Sequence, residues 1–88
     1  MTPTILVVED EPAIQELVVI NLKHAGFLVV RASTAEEAES TIRAALPDLL
    51  VLDWMLPGQS GVALAKKIRA DERTRELPII MLTARVHE

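Results

Sequence analysis

Short apolar runs alternate with amphipathic stretches along the chain. The apolar runs occupy residues 5–8, 27–30, 49–52 and 79–82. A run of four branched aliphatic residues bounded by polar residues is typical of a strand buried on both faces, as in parallel sheets. Between the runs, apolar residues recur at helical spacing. The pattern therefore predicts one α/β domain over residues 1–88 with the order βαβαβαβ and helices on both faces of the sheet.

Each of the three predicted helices has its own start signal. The first begins at Pro12, which lacks the N–H that a first helical residue leaves unpaired, and ends at Gly26. The second begins at Thr34, three residues before Glu37, as in a capping box. Ser60 is suited to cap the third helix. The expected buried stripes are Ile14, Leu17, Val18, Leu22 and Ala25; Ala35, Ala38, Ile42 and Leu46; and Gly61, Leu64, Ala65 and Ile68.

Acidic residues follow two of the predicted strands. Glu9 and Asp10 come directly after the first strand, and Asp53 closes the third. If these strands lie side by side in parallel, their carboxyl ends meet at the functional edge of the sheet and the three carboxylates crowd together. Crowded carboxylates raise one another's pKa unless a cation lies among them, and oxygen ligands favour Mg²⁺.

An ordinary explanation competes for part of this cluster. Acidic residues 9–11 also fit a helix start, where negative charge is favourable to the macrodipole. Asp53 is harder to explain in this way, because aspartate is disfavoured in strands and costly to bury without a partner. The acids taken together therefore favour a functional pocket.

Composition limits the class of protein. The chain has 88 residues without cysteine, which excludes disulfides and thiolate metal sites and favours a cytoplasmic location. Half of the residues are apolar, yet no run approaches the roughly 18 residues that span a membrane. The net charge of −4 and scattered basic residues argue against direct nucleic-acid binding by this segment.

Three motifs at the same edge of the predicted sheet resemble those of response-regulator receiver domains. They are Val-Val-Glu-Asp-Glu-Pro at residues 7–12, Leu-Asp-Trp-Met-Leu-Pro-Gly at 52–58 with Gly61, and Pro-Ile-Ile-Met-Leu-Thr-Ala-Arg at 78–85. The resemblance covers the whole chain and is specific because all three motifs occur together. The Trp-Met-Leu-Pro-Gly run is most similar to that of the phosphate-regulon type of transcriptional regulators, which carry a winged-helix DNA-binding domain after the receiver.

The resemblance implies a flavodoxin-like doubly wound parallel sheet with strand order 2-1-3-4. It also implies a two-component switch rather than an enzyme. Asp53 would accept a phosphoryl group from the phosphohistidine of a sensor histidine kinase, and Thr83 would donate its hydroxyl to the aspartyl phosphate. Transcription would then be regulated through an output domain outside this chain.

The family further implies a magnesium site and a phosphate cradle. Mg²⁺ would be bound directly by Asp10, Asp53 and the backbone carbonyl of Met55, with Glu9 acting through a water molecule. Phosphoryl transfer depends mostly on positioning and charge neutralisation, which such a site supplies. The remaining phosphate oxygens would be held by the backbone N–H groups of Trp54, Met55 and Ala84.

Taken singly, several of these residues have simpler interpretations. Thr83 is an ordinary β-branched strand residue, and Trp54 fits a packing residue or an exposed partner contact. His24 and His87 lack a partner pattern and are expected on the surface, outside any catalytic or metal site.

The resemblance also implies a fifth strand that ends in lysine and two further helices, whereas this sequence ends at Glu88. The lysines present are Lys23, Lys66 and Lys67, all on predicted helix surfaces. We therefore expect an incomplete receiver with impaired phosphoryl chemistry. Its fourth strand would be an exposed edge that pairs with a second copy of the chain or leaves the domain marginally folded.

Two other functions stay open at this stage. The first is a truncated receiver that is not phosphorylated and acts as a strand-pairing interaction module; the missing lysine favours it and the acidic residues oppose it. The second is a small magnesium-dependent phosphatase or nucleotide-binding protein. It ranks last because no glycine-rich loop follows the first strand and Met55, not aspartate, lies two residues after Asp53.

Overall fold

The computed structural model describes residues 2–82. Strands and helices alternate in the predicted order: β1 (Thr4–Val8), α1 (Pro12–His24), β2 (Leu28–Ala32), α2 (Ala35–Ala44), β3 (Leu49–Asp53), α3 (Gly61–Ala70) and β4 (Ile79–Leu82). β1 begins one residue before its predicted start, and β2 departs from its predicted bounds at both ends. β2 starts after Phe27, because the Phe27 N–H donates to the carbonyl of Leu22 and closes the end of α1.

The four strands form one parallel sheet in the order β2-β1-β3-β4, which confirms the flavodoxin-like arrangement. β1 lies beside β3 with Val8 opposite Leu52, so the two strands end at the same level. The winding of the chain reverses between β1 and β3. In sheets of this kind, that reversal opens a crevice beyond the carboxyl ends of the strands.

The two faces of the sheet are covered to different extents. α2 and α3 cover one face, and buried residues from them pack on alternate residues of the strands, which point to the same side. This larger cluster consists of Leu6, Val8, Ala32, Ala35, Ala38, Ile42, Leu50, Leu52, Leu56, Leu64, Ile68 and Leu77. The opposite face carries α1, and among the described residues the buried members of its cluster are Ile5, Val7, Val19 and Val51.

The helix ends follow the sequence signals. Gly26 has a φ of 101°, and the N–H groups of Gly26 and Phe27 donate to the carbonyls of Lys23 and Leu22, which is the Schellman pattern. Thr34 Oγ1 accepts the N–H of Glu37 at 3.1 Å. Ser60 caps α3 by accepting the N–H of Ala63. These local signals need no tertiary partner, and the structure confirms them.

The buried stripe predicted for α1 is partly wrong. Leu17 is 63% exposed and Ala25 lies exposed beyond the helix, while Gln15 and Val19 are the buried residues. Apolar residues occupy most of the circumference of α1, so their spacing does not select the face that meets the sheet.

Two smaller expectations near the other helices also change. Leu46 is 46% exposed, because α2 ends at Ala44 and the chain turns away. The charged residues at 71–76, between α3 and β4, predict a solvated segment, yet Thr74 is buried there and donates its hydroxyl to the carbonyl of Ile68 at 2.6 Å. A polar residue can be buried there because this bond satisfies its donor.

β4 is an edge strand among residues 2–82. It pairs with β3 on one side, and Ile80 and Met81 are 54% and 37% exposed on opposite faces. Within the same residues, no helix has the length and apolar character needed to cross a membrane.

Candidate functional site

The predicted acids converge at the carboxyl ends of β1 and β3. Glu9 and Asp53 are each only 1% exposed, and Asp10 is half-buried. One carboxylate oxygen from each of the three residues lies within 4.8 Å of the others. We call Glu9, Asp10 and Asp53 the acidic site. Its existence follows from the β1–β3 register, since residues just beyond paired positions must lie close together.

The carboxylate of Glu9 is buried and accepts a backbone N–H. Its Oε2 accepts the N–H of Glu11 at 2.9 Å, while Oε1 is buried and meets no hydrogen-bond donor in the described part of the chain. Burial raises the pKa of Glu9 above its usual value, and the negative charges of Asp53 and Asp10 raise it further, against the opposing effect of the Glu11 N–H. The ionised form is therefore disfavoured unless positive charge enters the site.

Asp53 is oriented by the turn that follows β3. Its Oδ1 accepts the N–H of Met55 at 3.3 Å. The N–H of Trp54 instead donates to the carbonyl of Leu82, which extends the β3–β4 pairing by one bond. Of the three N–H groups expected to cradle a phosphate, that of Met55 thus lies at the carboxylate, that of Trp54 is engaged in the sheet, and that of Ala84 lies outside the described residues. The Trp54 and Met55 side chains are both more than half exposed at the rim of the site.

Gly61 holds the start of α3 against the end of β3. Its N–H donates to the carbonyl of Trp54 at 2.7 Å. A Cβ at this position would overlap the carbonyl oxygen of Asp53 and crowd the Trp54 Cα. The backbone of the site can adopt this shape only with glycine at position 61, which sequence analysis had assigned to the buried stripe of α3.

The donor set fits a hard divalent cation. Three carboxylates offer oxygen ligands within a few ångströms of one another, and the buried Glu9 Oε1 points to a missing positive partner. Oxygen ligands in such a set match Mg²⁺ chemistry, with waters completing the coordination. The roles assigned to the Met55 carbonyl and to a water on Glu9 stay predictions.

Several predicted residues fall elsewhere. Thr83, Ala84 and His87 lie outside the described residues, and their roles stay predictions. His24 is exposed at the end of α1, away from the acidic site. The three lysines, Lys23, Lys66 and Lys67, are exposed on helices, as expected, and Lys67 forms an ion pair with Glu39 at 3.4 Å.

One buried polar side chain beside the acidic site was not among the predicted residues. Gln15 lies in α1 and donates through Nε2 to the carbonyls of Glu9 and Ala32. The available signal was its position four residues before Val19, on the same side of the helix. Sequence alone gives no reason to prefer that side, because the partner carbonyl of Ala32 is 17 residues away.

Comparison with known proteins identifies the class to which this fold and site belong. The family model described as the response regulator receiver domain matches residues 5–88. The chain therefore belongs to the response regulator receiver family, as its three motifs had indicated. Receiver domains of this family are signalling switches rather than typical enzymes.

Individual relatives indicate which type of response regulator this chain is similar to. The chain is 51% identical over 88 residues to the phosphate regulon transcriptional regulatory protein PhoB of Rhizobium meliloti (strain 1021), with 100% of this chain covered. It spans between 37% and 39% of the length of the PhoB proteins from this and two other bacteria. The sequence similarity is thus to a part of a longer type of transcriptional regulator.

Solved structures agree with the fold. The N-terminal domain of a response regulator receiver protein from Methanoculleus marisnigri JR1 superposes with a TM-score of 0.91 at 35% identity, covering 100% of this chain and 72% of that chain. The receiver domain of a sensor histidine kinase from Pseudomonas aeruginosa PAO1 superposes with a TM-score of 0.89 at 32% identity, covering 97% and 70%. That neighbour has a magnesium ion coordinated in its active site cleft.

Proposed function

We propose that this chain is the phosphoryl-accepting switch of a two-component response regulator, with Asp53 as the acceptor. The observation that carries the proposal is the convergence of Glu9, Asp10 and Asp53 at the point where the sheet reverses its winding. A buried aspartate beside two other acids is costly to a folded protein unless the arrangement serves a cation or a reaction. Family membership supplies the reaction class.

The reaction needs little more than a positioned oxygen nucleophile. One carboxylate oxygen of Asp53 forms a bond to phosphorus as the P–N bond of a phosphohistidine breaks. The imidazole nitrogen keeps the electron pair and takes up a proton from solvent. The product is an acyl phosphate on Asp53. The N–H of Met55, at 3.3 Å from Oδ1, limits the rotation of the carboxylate and so favours one attacking geometry.

Glu9, Asp10 and Asp53 are the residues that would hold Mg²⁺. When bound, the ion supplies positive charge that offsets the repulsion between the carboxylate and the phosphoryl group. Gly61 keeps the turn after Asp53 in place through its bond to Trp54. Thr83 and the N–H of Ala84, which follow β4 in the sequence, are proposed to bind the phosphoryl oxygens of the product.

The proposal extends to partners. We infer a sensor histidine kinase in the cytoplasm as the phosphoryl donor, and transcription as the output. Support comes from the similarity to PhoB regulators, whose names describe transcriptional regulation of a phosphate regulon. The net charge of −4 argues against binding of a phosphate backbone by this segment, so we assign DNA contact to another domain.

The test is phosphorylation by a small-molecule donor. Wild type, Asp53→Asn and Asp71→Asn are incubated with acetyl phosphate and Mg²⁺, and intact masses are measured. Asp71 is an exposed aspartate at the end of α3, so its variant is a matched control. We expect one phosphoryl group on wild type and on Asp71→Asn, and none on Asp53→Asn or after chelation of Mg²⁺. An unmodified wild type would contradict the proposal.

The β4 edge supports a second candidate function, self-association by strand pairing. β4 has one strand partner within residues 2–82, and Ile80 is 54% exposed on a face of the sheet that α1 leaves open there. Edges of this kind pair readily with another strand. Sedimentation of wild type and Ile80→Lys tests the idea: we expect wild type to associate and the variant to be monomeric. A stable wild-type monomer at all concentrations would refute it.

A further inference from the structure

We propose that Gln15 is a positioning residue of the acidic site. Its side-chain amide ties the carboxyl ends of β1 and β2 together and thereby sets where Glu9 and Asp10 lie relative to Asp53. The inference rests on the proposed function only in that it takes the acidic site to be the cation site.

The amide of Gln15 makes two hydrogen bonds inside the protein. Gln15 is 8% exposed, and its Nε2 donates to the carbonyl of Glu9 at 2.9 Å and to the carbonyl of Ala32 at 3.1 Å. A carboxamide nitrogen carries two hydrogens, so both are used. The same Ala32 carbonyl accepts the N–H of Glu9 at 3.0 Å. Gln15 therefore bridges two strands at one point.

This point is the end of the sheet ladder. β1 pairs with β2 as far as Val8 opposite Ala32, and β2 then ends. Glu9 lies one residue further, where its N–H still reaches Ala32 but no later β2 residue is available to its carbonyl. Gln15 supplies that missing donor from α1. The helix thus extends the fixed part of β1 by one residue, up to the start of the acidic site.

Fixing the Glu9 carbonyl has a direct effect on the next residue. The peptide group is planar, so the direction of the Glu9 C=O determines the position of the Asp10 nitrogen and Cα. With its N–H bound to Ala32 and its C=O bound to Gln15, Glu9 has little freedom to rotate about its backbone. Two of the three acids of the site are placed by this bond, and the third belongs to β3, which is held by its own pairing.

A purely structural role would have a different consequence. If Gln15 only satisfied two buried carbonyls, its loss would lower the free energy of unfolding, and the folded molecules that remain would bind the cation as before. A positioning role requires weaker cation binding by folded protein, because ligands must be held close to their productive geometry. Removing groups that orient metal ligands typically weakens binding by about 10–100-fold.

Mg²⁺ titration separates these roles. Gln15→Met keeps the length of the side chain without its donors, and Thr74→Val removes another buried hydrogen bond, to Ile68, away from the acidic site. Trp54, the single tryptophan, follows Asp53 in the sequence and reports binding by fluorescence. Titrations are run at a temperature at which circular dichroism shows every variant to be folded. We expect Gln15→Met to raise the Mg²⁺ dissociation constant by about tenfold and Thr74→Val to leave it unchanged.

Phosphorylation at saturating Mg²⁺ gives a second readout. Gln15→Met is expected to reach the wild-type extent of modification by acetyl phosphate once the cation is saturating, because the acceptor itself is intact. If Gln15→Met fails to fold, Gln15→Asn keeps the amide but is too short to reach both carbonyls, and the same loss of affinity is expected.

Unchanged Mg²⁺ affinity in a folded Gln15 variant would overturn the inference while leaving the proposed function in place. An equal loss in Thr74→Val would also overturn it, since the effect would then follow stability alone. Wild type that does not bind Mg²⁺ would overturn both proposals, and Asp53→Asn, titrated alongside, identifies that case because it would then be indistinguishable from wild type.

Discussion

The two faces of the sheet differ in what they contribute. Among residues 2–82, the face under α2 and α3 holds a continuous cluster of twelve buried residues, whereas the face under α1 holds four. By strand alternation, Glu9 and Asp53 fall on the same side as Val7 and Val51, which is the thinly covered face. The well-packed face therefore supplies most of the stability, and the open face carries the polar chemistry.

The largest expected effect is on the free energy of unfolding, when one leucine on each face of the sheet is replaced by alanine. Leu64 of α3 is fully buried, while Leu22 of α1 is half-buried. Leu64→Ala should lower the free energy of unfolding by about 2–5 kcal/mol, because it opens a cavity in a packed core. Leu22→Ala should cost about 1 kcal/mol, since less apolar area is lost. Urea unfolding curves measure both, and equal losses would remove the contrast between the faces.

A smaller effect is expected at Gly61, where the start of α3 contacts the end of β3 beside the acidic site. Gly61→Ala should cost about 1–3 kcal/mol, because the new methyl group overlaps the Asp53 carbonyl. It should also reduce phosphoryl uptake by displacing Asp53. Gly26→Ala is the control: it is strained by a φ of 101° but meets no atom within 4 Å and lies far from the site. Phosphoryl uptake at the wild-type level in Gly61→Ala would contradict this prediction, because Asp53 would then tolerate movement of the turn between β3 and α3.

The smallest expected effect concerns the negative charge of Glu9, on the face of the sheet under α1. Because the pKa of Glu9 is raised in the folded protein, its ionisation opposes folding. Below the usual value of 4.5, Glu9 is protonated in the folded and unfolded states and this penalty is absent; stability is lost as pH rises through the raised pKa. Without Mg²⁺, Glu9→Gln should therefore be more stable than wild type at pH 7. The difference should vanish below the usual pKa of glutamate.

The same stability measurements are repeated with saturating Mg²⁺ and with a surface variant as control. Saturating Mg²⁺ should abolish the advantage of Glu9→Gln, since the cation offsets the buried charge. Glu72→Gln, at an exposed position after α3, is measured alongside as the surface control. Thermal melts across pH detect the effect, and a pH-independent gain in Glu9→Gln would assign it to packing instead.

Sequence alone predicted the strands, their alternation with helices in a parallel sheet, and the acidic site. These features depend on local patterns and on one geometric rule, that paired parallel strands end at a common edge. The strand order came from the family resemblance. β4 was predicted with its observed bounds because Pro78 separates it from the charged segment before it.

The features that sequence did not predict depend on partners far along the chain. The buried face of α1 includes Gln15, whose amide donates to the carbonyl of Ala32 at the end of another strand. Thr74 is buried because the Ile68 carbonyl accepts its hydroxyl. Neither residue stands out in an apolar pattern. The crowding at Gly61 likewise involves a backbone oxygen from β3, which only the folded chain brings close.

The central claim is that Glu9, Asp10 and Asp53 hold one cation together. Calorimetric titration with Mg²⁺ tests it directly, using wild type, Asp10→Asn, Asp53→Asn and the double variant. The account predicts one ion per wild-type chain, strongly weakened binding in each single variant, and little additional loss in the double variant, because both carboxylates serve the same ion. Wild-type affinity in either single variant, or independent and additive losses, would contradict it.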